Sequence, residues 1–250
     1  MIKIFRNIRK NLINEGKTSK YFKYAIGEII LVVIGILIAL QINTWKNEKE
    51  ESLLEIKIIK ELKSNLKLDL VEIQEDIGIM EDINVASAYI KNYLQTHELP
   101  SDSLNEKSIL LRVTPHFDPN KSGYGLLVSK GIGIISNDSL RNDISLLYER
   151  LYSYYKRYEE ERLRFHAMHS EPKLLEYFVM KFNSNVTKYY GNFEISKEDY
   201  NKLKKDENFF KLMSAITYEN SGVLNRAQRV ESKIISLISA LDEELSIKEK

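Results

Sequence analysis

YAIGEIILVVIGILIALQINTW, residues 24–45, is the stretch that decides how the chain is read. Wound as an α-helix, its 22 residues span about 33 Å, roughly one hydrocarbon core, and no other run in the chain is as long and as apolar. Trp45 at one end and Tyr21, Phe22 and Tyr24 at the other fit the interfacial positions that aromatic residues favour. A cleaved signal peptide would need a shorter apolar core and small residues ahead of the cut, whereas Leu40 to Trp45 has no A-x-A pattern. The expectation is an uncleaved transmembrane helix over 24–45.

Charge is distributed unevenly about that helix. Residues 1–23 carry seven basic side chains against Glu15, a net of +6, and the part after Trp45 has 30 basic and 34 acidic residues, a net of −4. The positive-inside rule then places the N-terminus in the cytoplasm and residues 46–250 outside it. The chain has no cysteine, which suits an oxidising compartment and excludes disulfides and thiolate metal sites. Within the basic stub, Ile2, Ile4, Phe5, Ile8 and Leu12 are compatible with a short amphipathic helix on an anionic leaflet, or with a plain topogenic tail.

Beyond Trp45 there is no proline before Pro100, and Ile59, Leu62, Leu66, Leu70, Ile73, Ile77 and Met80 recur at steps of three and four. That is one face of a helix, predicted to continue the membrane helix with little or no break as far as about residue 96. A turn follows at Pro100, then a short helix over 104–113 and a loop through Pro115 and Pro119. SGYGLLVSKGIGIISND, residues 122–138, holds four of the ten glycines. It predicts a short helix over 124–129, stopped by Gly131 in a left-handed cap. Asn137 and Asp138 cap a helix over 139–168 whose buried face is Leu140, Ile144, Leu147, Leu151, Tyr155 and Tyr158. Ser170 and Pro172 restart a helix to about residue 182, and NVTKYYGNF, residues 185–193, fits a loop or a short strand pair. Ser196 and Asp199 form a capping-box pattern. The last helix keeps Met213, Ile216, Asn220, Val223, Ala227, Val230, Ile234, Leu237 and Leu241 at 3-4 spacing, with Asn220 polar in the seam.

Such stripes require partners in water. The fold class expected is all-α: one N-terminal transmembrane helix continuing into an extracytoplasmic antiparallel helical bundle with long helices. Its divisions are a basic cytoplasmic stub (1–23), the membrane helix (24–45) and an extracytoplasmic bundle domain (46–250), with Ile216, Asn220, Val223, Val230, Ile234, Leu237 and Leu241 as the bundle seam.

YAIGEIILVVIGILIALQIN with Trp45, and the later LLVSKGIGIISNDSLRNDISLLY, resemble the domain-of-unknown-function 6090 family of single-pass proteins from bacteroidete bacteria. Ala25, Ile26, Gly27, Glu28 and Leu40, Gln41, Ile42, Asn43 carry most of the resemblance, and Gly131, Ile134, Ile135, Asn137, Leu140 and Arg141 carry the rest. The resemblance implies bacteria with two membranes, hence an inner-membrane anchor and a periplasmic bundle. It implies no activity.

Candidate chemistry is sparse. Glu28 is an ionisable group inside the membrane helix, and with Gly35 and Ala39 it forms a small, polar face suited to contact another helix, or to carry a proton as in a stator-like subunit. Glu28 also lies near enough to the helix start to snorkel towards basic neighbours such as Lys23. His166 and His169, in HAMHSE, stand at helical i, i+3 spacing and are weak candidates for half a metal site; His97 and His116 are distant in sequence. The glycines at 123–133 lack phosphate-loop spacing and read as caps and close helix approach. Five tyrosines, 148, 152, 154, 155 and 158, cannot all face one way, so part of that patch is core and part surface. The charges around them, Arg150, Lys156, Arg157, Arg162 and Arg164 among Glu149, Glu159, Glu160 and Glu161, read as a solvated face. Neither charge nor location suits nucleic acid.

No catalytic constellation and no cofactor motif emerges. The function expected is therefore non-enzymatic: a membrane-anchored bundle acting through self-association or another membrane protein, with the lipid bilayer as its other partner. The alternatives are a periplasmic sensor or transducer, and a stator-like subunit using Glu28 with a multi-pass partner.

Overall fold

The computed structural model describes residues 18–182 and 191–249. The expected amphipathic stub falls almost entirely on residues outside that set, as does most of the NVTKYYGNF segment. The chain divides into two units, Met1–Glu55 and Ile56–Lys250.

The first unit consists, in its described part, of the beginning of helix α1 (Thr18–Thr96). This helix contains a stretch long and apolar enough to cross a membrane, with a window of mean hydropathy 2.6 that is entirely unburied. Water would penalise such a surface heavily, and a hydrocarbon solvent would not. α1 continues without interruption to Thr96, as the absence of proline before Pro100 predicts.

The second unit is a bundle of three long helical stretches. These are α1 from Ile56 onward; the stretch 138–175, made of α4 (Asp138–Ser145), a π-helical segment (Leu146–Leu151), α5 (Tyr152–Phe165), a second π segment (His166–Ser170) and α6 (Glu171–Leu175); and α8 (Glu207–Lys248). α8 runs antiparallel to both others. It pairs Thr217 with Ser87 and Glu249 with Lys60 on α1, and Asn220 with Arg162 and Lys233 with Asp143 on the middle stretch. Shorter elements close one end: α2 (Asp102–Ser108) with a 3-10 turn (Ile109–Arg112), α7 (Lys197–Leu203), and a hairpin of β1 (Phe178–Phe182) and β2 (Gly191–Ile195) in the register Phe178 to Ile195. Leu104, Leu111, Leu174, Phe178, Phe193, Tyr200 and Phe209 are all buried there, with the Phe178 and Phe193 rings stacked at 5.2 Å. α3 (Ser122–Lys130) lies along the other half of the bundle.

Local chemistry sets the helix starts. Asn137 accepts the Leu140 N–H at 3.2 Å, Ser196 the Asp199 N–H at 3.0 Å and Asp206 the Asn208 N–H at 2.9 Å, each satisfying a donor that the first helical turn leaves open. Gly123 permits a close approach of α3 to α1. Its N–H donates to Asn65 Oδ1 at 2.9 Å, and a methyl group in its place would stand 2.9 Å from the Leu62 nitrogen.

Three expectations are corrected. Gly131 has φ 94° and ψ 126°, so it uses glycine's access to positive φ in an extended conformation and leads into a 3-10 turn (Ile132–Ile134), not a left-handed cap. Ser170 and Pro172 do mark a helix start, since α6 (Glu171–Leu175) has Ser170 at its N-cap position and Pro172 in its first turn, but it follows the π segment with no break in helical winding. The middle stretch ends at Leu175, and residues 178–182 form a strand instead of more helix. The buried face of the middle stretch also shifts. The π segment over Leu146–Leu151 adds a residue to one turn, so Tyr152 and Glu159 are buried while Leu151 and Tyr158 are only half-buried.

Candidate functional site

The three seams meet in a belt of polar side chains midway along the bundle. On α1 the buried positions are Ile59, Leu62, Leu66, Asp69, Ile73, Asp76, Met80 and Ile83, an unbroken 3-4 alternation in which two members are acidic. Leu70 and Ile77, expected in the seam, are only half-buried. On the middle stretch the face runs Tyr152, Tyr155, Glu159, Arg162, His166 and Ser170, and on α8 Asn220 lies at the same level, fully buried.

These groups hold the proline loop between α2 and α3 by its backbone. Asp69 accepts the Asn120 N–H at 2.8 Å and its side-chain amide at 2.7 Å on Oδ1, and the Tyr152 hydroxyl at 2.7 Å on Oδ2. Glu72 accepts the Asp118 N–H at 3.2 Å, and Glu159 Oε1 the Phe117 N–H at 3.0 Å. Arg162 Nη2 donates to the Val113 carbonyl at 3.2 Å, and Phe117 packs its ring against Tyr152 and Tyr155. A segment that cannot form a helix ladder thus has its donors met by carboxylates from the bundle. Asn220 ties all three helices together: its amide donates to the Met80 carbonyl at 2.7 Å and to Asn84 Oδ1 at 3.0 Å, while its Oδ1 accepts from Arg162 Nε at 3.3 Å.

The belt is incompletely satisfied. Among the described residues, Asp76 Oδ2, Arg162 Nη1, His166 Nδ1 and Ser170 Oγ are buried with no hydrogen-bond partner, and the Tyr155 hydroxyl interacts with the Glu159 carboxylate. Burial, with Glu72 and Glu75 nearby, pushes the Asp76 carboxyl up to about 7. Burial also pushes Glu159 up to about 7, against the hydrogen bond from Phe117. It lowers Arg162 to about 10 and holds His166 below the ordinary histidine range. Beside Glu159 and Arg162 lies a cavity of about 110 Å³, walled by Met80 of α1, Pro115 of the loop, Leu163 and Val223.

The sequence candidates fall as follows. Ile216, Asn220, Val223, Val230, Ile234, Leu237 and Leu241 are all buried on α8, with Asn220 in the belt and Val223 at the cavity. Glu28, half-buried, and the exposed Gly35 and Ala39 lie on the first part of α1. His166 is buried with Nε2 4.0 Å from Glu171 Oε2, whereas His169 is exposed. The π segment separates them, since its i→i+5 winding takes an i, i+3 pair off a common face. Among the described residues no three acidic or histidine side chains come together as a metal site. Of the tyrosines, 148, 152 and 155 are core, while 154 and 158 sit at the surface, the Arg226 guanidinium 3.9 Å from the Tyr158 ring centre.

Glu159 and Arg162, expected in a solvated face, are buried instead, and Asp69 and Asp76 are buried polar groups that a search for apolar spacing passes over. The signal for them is spacing. Positions 69 and 76 complete the 3-4 series of α1, and 159 and 162 continue that of Tyr152 and Tyr155, irrespective of their polarity.

Fold and site together define an all-α bundle of long helices with a polar belt and one apolar N-terminal helix able to span a membrane. Residues 28–221 match the family described as "Family of unknown function (DUF6090)", and the chain belongs to that family. No curated protein and no solved structure matches it.

Proposed function

We propose that this is a non-enzymatic protein of the inner membrane, anchored by residues 24–45 with its N-terminus in the cytoplasm, whose periplasmic bundle acts by self-association or by gripping another membrane protein. The observation that carries this reading is the lack of any intrachain reason for the small residues of the anchor. A methyl group added at Gly27 or Gly35 meets nothing within 4 Å, although glycine inside a helix costs about 1 kcal/mol relative to alanine. Gly35 and Ala39 form a small-xxx-small pair, the pattern that lets a second helix approach in lipid. The basic stub supports the orientation.

The full chain with two different fluorophores, reconstituted in lipid vesicles, tests the self-association reading by energy transfer, and co-purification in mild detergent tests the other. Gly35→Leu should abolish the transfer or release the co-purifying membrane protein while leaving the helical content unchanged. Retention of both by Gly35→Leu would contradict the proposal.

A further inference from the structure

The cations on either side of Arg229 on α8 are matched. Lys233, one turn on, is 2.6 Å from Asp143; Arg226, one turn before, lies 3.9 Å from the Tyr158 ring centre and donates to its hydroxyl at 2.9 Å. Arg229 itself is not matched. With Arg150 and Arg157 of the middle stretch it lines an open groove of about 560 Å³, and among the described residues none of these three guanidinium groups has an ion pair or a hydrogen bond. Ser153, Tyr154 and Glu149 complete the walls. Glu149 is the one carboxylate there and already accepts the Tyr124 hydroxyl at 2.6 Å. Three guanidinium groups against one carboxylate leave the groove at +2, whereas the chain after Trp45 sums to −4.

Like charges gathered in one groove repel one another, and an anion that meets all three relieves this. Each guanidinium is a planar fork of N–H donors that fits the paired oxygens of a carboxylate or a phosphate. A single carboxylate fills one fork and leaves two. Arg150 and Arg157 are seven residues apart, about 10 Å along the helix, and Arg229 comes from the neighbouring helix, so two linked anionic groups match the spread of charge better than one. A diphosphate supplies them, with oxygens on every side, and the Ser153 hydroxyl offers a further donor. Tyr154 reports the local field: its hydroxyl is held below the ordinary tyrosine range, first through the Tyr158 hydroxyl and next through Arg226, with the charge of Arg157 adding to the effect.

We propose that this groove between the middle stretch and α8 binds a small molecule bearing a diphosphate group, gripped by Arg150, Arg157 and Arg229. The inference goes beyond the anchored-bundle reading and stands without it, since binding is measured on the chain alone and Gly35 plays no part in it.

The test is isothermal titration of the full chain in mild detergent with inorganic diphosphate, inorganic phosphate, succinate and tetraglutamate, at about 0.15 M salt so that weak surface attraction is screened. Diphosphate should bind saturably with a Kd on the order of 0.1 mM, and phosphate and succinate about tenfold more weakly. Arg157→Lys keeps the charge and loses the fork, and Arg229→Ala loses both; each should weaken diphosphate by about tenfold. Both side chains are exposed, so the circular dichroism should not change. Arg164→Ala removes an exposed arginine outside the groove and should leave binding as it is. Adenosine diphosphate and geranyl diphosphate, set beside the inorganic ion, identify a nucleotide, lipid or inorganic source by which of the three binds tightest. No saturable binding of diphosphate, an equal loss in Arg164→Ala, or succinate as tight as diphosphate would each overturn the proposal, and tetraglutamate tighter than diphosphate would overturn it in favour of an acidic protein segment.

Discussion

Asp69 and Asp76 lie seven residues apart on the same face of α1, both buried between the same helices, yet their surroundings are opposite. Asp69 accepts three hydrogen bonds, two from Asn120 and one from Tyr152, and so anchors the proline loop. Asp76 leaves Oδ2 without a partner and faces Glu72, Glu75 and Glu159. The difference shows that burial alone does not decide what a seam carboxylate does. Where loop donors converge on it, the charge is structural; where they do not, the group takes up a proton near neutrality.

Breaking the satisfied side should have the larger effect. Asp69→Ala removes the acceptor for three buried or half-buried donors and should cost about 3 kcal/mol or more, read as a lower denaturation midpoint and as faster proteolysis of the loop at 113–121. Next in size is Gly123→Ala, at the contact beside that loop. The added methyl meets the Leu62 backbone at 2.9 Å, so a loss of about 1–3 kcal/mol is expected, measured by the same unfolding curves.

The smallest effect, of the opposite sign, belongs to Asp76. Its folded-state pKa is raised from 3.8 to about 7 and that of Glu159 from 4.5 to about 7, so the native state binds protons more tightly than the unfolded chain. The stability linked to these protons is complete below the unfolded values and is lost as pH rises through about 7. Between about pH 6 and 8 the loss should be on the order of 1 kcal/mol per carboxylate. His166, held low by burial, acts the other way below its ordinary range, because there the unfolded chain binds the extra proton. Asp206, pulled to about 2 beside Lys173, does not titrate in this window. Subtracting the curve of Asp76→Asn from that of the natural chain isolates the Asp76 share: the variant should match it only below the unfolded value of 3.8 and become progressively more stable than it as pH rises through about 7.

The same contrast explains what was legible in the sequence. The α8 seam could be read because eight of its nine expected positions are apolar and the ninth, Asn220, interrupts the series only once. The apolar span of α1 announces itself by length. Asp69 and Asp76 were hidden because a search for apolar residues slides to Leu70 and Ile77, their immediate neighbours. Glu159 and Arg162 were hidden twice over: they sit among other charges, and a π segment with no sequence signature shifts the register before them. The first strand of the hairpin was missed because FVMKF, residues 178–182, has no clean alternation, and its pairing with residues 191–195, which begin inside the segment read as a loop or a short strand pair, is a tertiary choice.

The most direct measurement is a carbon-13 carboxyl titration of the full chain in detergent, with Asp76 assigned through Asp76→Asn. The account predicts that the Asp76 signal moves with a midpoint of about 7, well above the ordinary aspartate value of about 3.9. An Asp76 midpoint near that ordinary value of about 3.9 would contradict it.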